Sequence, residues 1–237
     1  MSKLYSQLAK AYHEMYQSIF DYKKEFDFYD KLLKKYKCRK ILEIGCGTGN
    51  LAKYFMETGY NYTGLDLFNE MLKIAKKVEP RAKFVQGDMR ALNLSEKFDA
   101  VLITGRSFTY MTTNKDVMDA LNSVNRVLAE KGILIFDNFD AEAIFSNFKK
   151  RLVHTAKYNG RTYKRVSKNT MNLQTGWTKN WEATYYITEN GKTRIVKDKS
   201  ILRSFTKDEL KLFLKLAKFE LLQTTQEGSS FVTIARK

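Results

Sequence analysis

Ile41-Leu42-Glu43-Ile44-Gly45-Cys46-Gly47-Thr48-Gly49-Asn50 holds the residues best placed to do chemistry. Glycines at alternate positions after a β-branched apolar run allow a tight turn and let a ligand approach the backbone closely. A helix starting at Asn50 turns its unpaired amide N–H groups toward whatever lies there. Dinucleotide sites use a similar turn, but here Asn50 occupies the place of the third glycine in Gly-x-Gly-x-x-Gly. Glu43 also puts a carboxylate just before the loop, where a pyrophosphate is unwelcome and a cationic or hydroxylated ligand is favoured. Asp66 follows Gly49 by 17 residues and ends the next apolar run, where an acid accepts hydrogen bonds from ribose hydroxyls. Asp88, in Gln86-Gly87-Asp88-Met89, ends a third run and can accept from an exocyclic amine. Either acid alone reads equally as a helix cap. Together with the loop they converge on one crevice at the carboxyl ends of parallel strands.

The elements that must position these residues follow from periodicity. A helix over Glu25 to Tyr36 carries Phe26, Tyr29, Leu32, Leu33 and Tyr36 on one face. Strands are predicted at Lys40–Ile44, Tyr62–Leu65, Lys83–Gln86, Phe98–Ile103 and Ile133–Phe136. Helices over Asn50–Thr58, Met71–Val78 and Asp116–Leu128 alternate with them. That alternation implies right-handed crossovers and a doubly wound, mostly parallel α/β sheet. Thr104, Arg106 and Ser107 follow the fourth strand, and Asn138 the fifth, so all four are expected at the crevice. After Phe148 the texture turns β-rich, with Asn159-Gly160 and Asn190-Gly191 as hairpin markers. An antiparallel sheet is thus expected over 145–204, inserted in a core made of 1–144 and 205–237. A helix over Lys207–Ala217 and strands near Glu220–Thr225 and Phe231–Ala235 complete a seven-stranded sheet.

The chain has 237 residues, 43% of them hydrophobic, which fits one sizeable core with an elaboration. No apolar run reaches the roughly 18 residues of a membrane span, and no secretory signal is visible, so a cytoplasmic home is expected. Cys38 and Cys46 do not make a disulfide framework, and His13 and His154 are the only imidazoles, so no metal is expected. The net charge of +16 is uneven: residues 145–204 hold 14 Lys/Arg against 3 Asp/Glu. Such a block implies an anionic partner or a solvated face. Lys157, Arg161, Lys164 and Arg165 are expected to hold an anionic acceptor or form a homodimer face.

Gly45-Cys46-Gly47-Thr48-Gly49, then Gly64-Leu65-Asp66-Leu67 with Met71-Leu72, then Gln86-Gly87-Asp88-Met89, resemble the class I S-adenosylmethionine-dependent methyltransferases, with a Rossmann-like fold, over nearly the whole chain. The resemblance implies that Glu43, Gly45, Cys46, Gly47 and Gly49 meet the methionine part of S-adenosylmethionine and Asp66 its ribose. It places Leu67, Asp88 and Met89 around adenine, with Met71 and Thr104 also on the cofactor. Tyr5, Tyr12 and Tyr16 resemble tyrosines that close over it, and read equally as one face of a packing helix. Asn159-Gly160-Arg161-Thr162 to Ser167 and Phe108-Thr109-Tyr110-Met111 resemble the N,N-dimethyltransferases of nucleotide-linked amino sugars. Tyr110 then stands where those enzymes place a catalytic His or Tyr beside the acceptor amine. Gly228-Ser229-Ser230-Phe231 departs from them in lacking a basic residue. The alternative is a tRNA or rRNA methyltransferase, with Tyr158, Tyr163, Trp177 and Trp181 stacking bases among the cations of the insert.

Overall fold

A computed structural model describes residues 3–237, apart from the side chain of Gln174. The opening tyrosines lead into α1 (Ala9–Gln17), and α2 (Tyr22–Lys35) begins at Asp21, whose carboxylate accepts from the Lys24 amide. The α/β core then runs β1 (Lys40–Ile44), α3 (Asn50–Glu57), β2 (Asn61–Asp66), α4 (Asn69–Val78), β3 (Lys83–Gln86), β4 (Phe98–Ile103), α5 (Asn114–Val127) and β5 (Leu128–Phe139). β1 to β5 are parallel and lie in the order β5-β4-β1-β2-β3. The chain leaves β1 toward β2 on one side and returns to β4 on the other. That reversal leaves a crevice beyond the ends of β1 and β4, where ligands of such sheets sit.

Both faces of the central strands are covered. Leu42, Ile44, Val101 and Ile103 pack on one side with α5, and Ile41, Ala100 and Leu102 on the other with α2 and α3. Burial on both faces is why these strands read as continuous apolar runs. β5 is longer than the apolar run Ile133–Phe136 announces. α5 stops at Val127, Lys131 takes a left-handed φ of 62°, and pairing with the C-terminal strand Ser230–Arg236 continues to Phe139 through polar Asp137 and Asn138.

Asp140 caps the short α6 (Ala141–Ser146), and the inserted sheet follows as β6 (Arg151–Tyr158), β7 (Arg161–Met171), β8 (Thr178–Glu189) and β9 (Lys192–Arg203). All three pairings are antiparallel. Asn159-Gly160 and Asn190-Gly191 have positive φ at both residues (44° and 76°, 48° and 73°), the turn that matches strand twist. One face of this sheet, with Ala156, Tyr163, Ala183 and Tyr185, buries Leu4, Leu8 and Met15 beneath it. The insert therefore anchors α1 over the crevice. The core closes with α7 (Lys207–Leu216), β10 (Glu220–Glu227) and β11 (Ser230–Arg236), the last antiparallel to β5 and β10. No helix of the described residues is long and apolar enough to cross a membrane.

Candidate active site

The glycine loop is held from β2. The amides of Gly45 and Cys46 both donate to the Leu65 carbonyl, and Gly47 donates to Asp66 Oδ2 at 3.0 Å. Gly45 has φ 74°, and a Cβ there would lie 2.0 Å from Ser107 Oγ, so neither its conformation nor its surroundings admit a side chain. No side chain caps α3, whose first turn opens on the crevice. Asp66 Oδ1 accepts from the Phe68 amide at 2.9 Å. Burial raises the Asp66 pKa, against the Phe68 and Gly47 amides, which stabilise the charge.

Glu43 is 2% exposed and accepts from Tyr62 Oη at 2.6 Å and Thr104 Oγ1 at 2.7 Å. Burial raises its pKa, and those two hydrogen bonds oppose the shift. Thr104 thus reaches the site through Glu43. Cys46 is buried with a free thiol, and Met71 packs against the loop, its Cε 3.6 Å from the Cβ position of Gly47.

At the other end, Leu67 stands 44% exposed on the rim, while Met89 is buried beside it in sequence after Asp88. Asp88 is not free. Arg90 clamps both carboxylate oxygens and bridges to Asp116, and it holds Asp88 below the usual carboxylate range. The Asp-x-Arg spacing was the signal for this pairing.

Two connected cavities lie over the crevice. The smaller, about 50 Å³, is walled by Glu43, the glycine loop, Thr48, Asn50 and Thr104. The larger, about 590 Å³, lies between α1, the β4 and β5 loops and the inserted sheet. They share Tyr12, Tyr22, Glu25 and Gly105. Tyr5 and Tyr110 line the large cavity with their hydroxyls 2.8 Å apart, and burial pushes both phenols up from their ordinary pKa. Tyr16 stacks on Tyr12 at 4.1 Å and accepts from Arg165 Nη1 at 2.7 Å. The structure thus brings together Tyr5, Tyr12, Tyr16, Tyr110 and Arg106 above the loop.

Other expected positions are not at the crevice. Asn138 is wholly buried and Phe139 faces the cavity instead, because strand alternation turns successive side chains to opposite sides. Ser107 packs under Gly45 and donates to the Thr104 carbonyl. Of the four cations singled out in the insert, Arg165 alone lines the cavity. Arg161 is bound by Glu14 and Glu189, and Lys164 lies on the exposed face of β7. Periodicity did not reveal Lys179, Ser167 and Asn169 on the inward face of β7 and β8, nor Glu25 and Tyr22 from α2. Arg106 Nε donates to Ser230 Oγ at the start of β11 at 3.2 Å.

Residues 41–132 match the methyltransferase domain model. The chain is 39% identical over 114 residues to the methyltransferase-type protein YqeM of Bacillus subtilis, covering 46% of this chain and 44% of that one. It is 31% identical over 127 residues to the dTDP-3-amino-3,4,6-trideoxy-alpha-D-glucopyranose N,N-dimethyltransferase of Streptomyces venezuelae, covering 54% and 53%. The chain therefore spans about half the length of the curated relatives it matches. The crystal structure of Streptomyces venezuelae DesVI superposes with a TM-score of 0.84 at 24% identity, over 95% of this chain and 97% of that one. That likeness extends over nearly the whole chain, the inserted antiparallel sheet included, and shows a shared fold.

Proposed function

We propose that the protein transfers a methyl group from S-adenosylmethionine to an amine of a small anionic acceptor, of the nucleotide-linked amino-sugar class. The observation that carries this reading is a pair of adjoining cavities that share Glu25 but differ in their cations. The small one presents Glu43 and Glu25 and no Lys, Arg or His. The large one presents Arg106, Lys149, Arg165 and Lys179. Lys179 is 8% exposed with its ammonium 4.9 Å from the Phe139 ring and no carboxylate partner among the described residues. Arg165, half-buried, meets Tyr16 and His154 but no acid among the described residues. Buried cations without counter-ions are costly alone and favour a ligand that brings negative charge. The Streptomyces relative is named for a dTDP-linked amino sugar, which has both the amine and the phosphates.

In this reading Asp66 holds the ribose hydroxyls, and Leu67, Asp88 and Met89 hold adenine. Glu43, Thr104 and the amides of the glycine loop hold the methionine part. When bound, S-adenosylmethionine supplies an electrophilic methyl on a good, neutral leaving group. The protein's contribution is then positioning and exclusion of water. Tyr12 and Tyr22 line the passage between the cavities, and their ring faces favour a cation. Tyr110 is the acceptor-side polar group. Burial keeps its phenol protonated, so it orients an amine by hydrogen bonding and is not the proton acceptor. Tyr5 and Tyr16, carried on the segment that the insert pins down, close the roof.

Calorimetric titration with S-adenosylmethionine, S-adenosylhomocysteine and NAD tests the cofactor. Micromolar binding of the first two alone is expected, and preference for NAD would remove the reading. Turnover of the dTDP-linked 3-amino sugar tests the acceptor. Lys179→Ala should raise its KM about 10- to 100-fold, the loss of one charge-assisted contact, with S-adenosylhomocysteine affinity unchanged. An unchanged KM would refute the anionic acceptor.

A further inference from the structure

Methylating an amine requires a lone pair, yet an aliphatic amine reaches the site as an ammonium. A proton must therefore leave it, and the buried phenols above the crevice are poor acceptors. Glu25 is the carboxylate of the large cavity. It lies in the first turn of α2, half-buried, and lines the small cavity as well, so it stands at the passage where donor and acceptor meet. An acid in a first helical turn normally faces solvent and favours the helix dipole. This one is turned inward and makes no hydrogen bond or ion pair with any described residue, whereas Glu43 beside it uses both oxygens on Tyr62 and Thr104.

We infer that Glu25 receives the acceptor ammonium at this passage and takes its proton, a role that rests on the methyl-transfer reading above. The proton moves from the ammonium nitrogen to a Glu25 oxygen, leaving a neutral amine. The nitrogen lone pair then forms the N–C bond to the methyl as the C–S bond of the sulfonium breaks, giving a methylammonium and a neutral thioether. Glu25 returns its proton to water when the product departs. The surroundings suit this exchange. Burial, with Asp137 on β5, Glu43 on β1 and Glu227 on β10, pushes the carboxyl up to about 8, and Arg106 after β4 acts against them. Tyr22, on its own helix, shares both cavity linings.

The test uses the full chain saturated with S-adenosylhomocysteine. Binding of the dTDP-linked 3-amino sugar is compared with that of its 3-hydroxy counterpart by calorimetry, in wild type and Glu25→Gln. Wild type should prefer the amine by at least tenfold, and the variant should lose that preference. Its kcat for methylation should fall about 100-fold, the range of general-base effects. S-adenosylhomocysteine affinity should stay within twofold. A variant that keeps both amine preference and kcat would overturn the inference while leaving the proposed function standing. Loss of S-adenosylhomocysteine affinity with amine preference intact would assign Glu25 to the methionine ammonium instead and overturn it equally. Wild type that binds neither sugar and methylates none would sink the function reading and this inference together.

Discussion

Replacing Asp66 by Asn should separate stability from ligand binding. The carboxylate is 8% exposed and accepts from two backbone amides. Its folded pKa lies above the ordinary value because burial disfavours the charge. The neutral amide relieves that penalty, but keeps one acceptor oxygen for two donors and forfeits a hydrogen bond worth about 0.5–1.5 kcal/mol. The opposed effects leave unfolding free energy at neutral pH within about 1 kcal/mol of wild type. The pH dependence has a definite sign. A folded carboxyl that binds protons more tightly than the unfolded one gives wild type a stability gain as pH falls through the raised value, complete below the unfolded pKa of about 3.9. The variant lacks that gain. Binding changes far more. A ribose diol makes two bonds to the carboxylate of about 1.5–3 kcal/mol each, and the amide can accept one. On the proposed ribose contact about 1.5–3 kcal/mol is lost, or roughly 10- to 150-fold in the Kd of S-adenosylhomocysteine. Calorimetry reads the affinity and urea unfolding at pH 7 and pH 4 the stability. A Kd within threefold of wild type, with stability lowered by several kcal/mol, would make Asp66 a cap for the Gly47 and Phe68 amides and nothing more.

Gly45→Ala should lower stability by about 2–4 kcal/mol in urea, because the φ of 74° is strained for alanine and its Cβ meets Ser107. Ser107→Gly in the same chain should restore the steric part, and no restoration would place the cost elsewhere. Glu14→Gln in α1 removes the charge held by Arg161 at 2.8 Å and by the Tyr163 hydroxyl. Since Arg161 stays partly solvated, about 1–3 kcal/mol is the expected loss. Limited proteolysis should then cut first within residues 3–21, and cleavage elsewhere first would contradict the pinning of α1 by the insert. Tyr5→Phe and Tyr110→Phe each leave the other's hydroxyl buried without its partner, at about 1–3 kcal/mol. The double variant should lose less than the two losses combined, and strict additivity would show that the hydroxyls do not act as a pair.

The sequence pattern located β1, β3 and β4 to the residue because each is an apolar run ended by a glycine, an acid or a turn. The Asn-Gly pairs fixed the hairpins for the same local reason. What stayed hidden depends on contacts distant along the chain. α1 is settled by Glu14 reaching Arg161, 147 residues away, and by the inward face of the inserted sheet. A charge count over the insert could not separate its two faces, so Arg161 and Lys164 looked as available as Arg165. Glu25 was invisible for a subtler reason. Its local signature is that of an ordinary first-turn acid, and only the crossing of α2 over the end of β1 turns it into the passage between cavities.

That geometry also gives the surplus of basic residues a specific meaning. Spread over a surface, +16 is a statement about solubility and loose association with polyanions. Here a few of the cations are turned inward on the roof of a cavity of about 590 Å³, while the adjoining glycine-loop pocket is acidic. Under the proposed function, a sulfonium donor and a polyanionic acceptor both carry charge into the same crevice, and the wrong one in either half would meet like charge. With carboxylates at the β1 end and most of the cavity's cations on or beside the inserted sheet, the proposed function has both ligands oriented before any hydrogen bond forms. It also sets their line of approach. The amine of an acceptor held by its anionic end extends toward the carboxylates, and the first it meets is Glu25. Exchanging the signs of Glu25 and Lys179 in a double variant would leave the total charge unchanged and should abolish that orientation. Acceptor binding would then fall even though no charge had been lost, which a purely nonspecific role for the basic residues cannot produce.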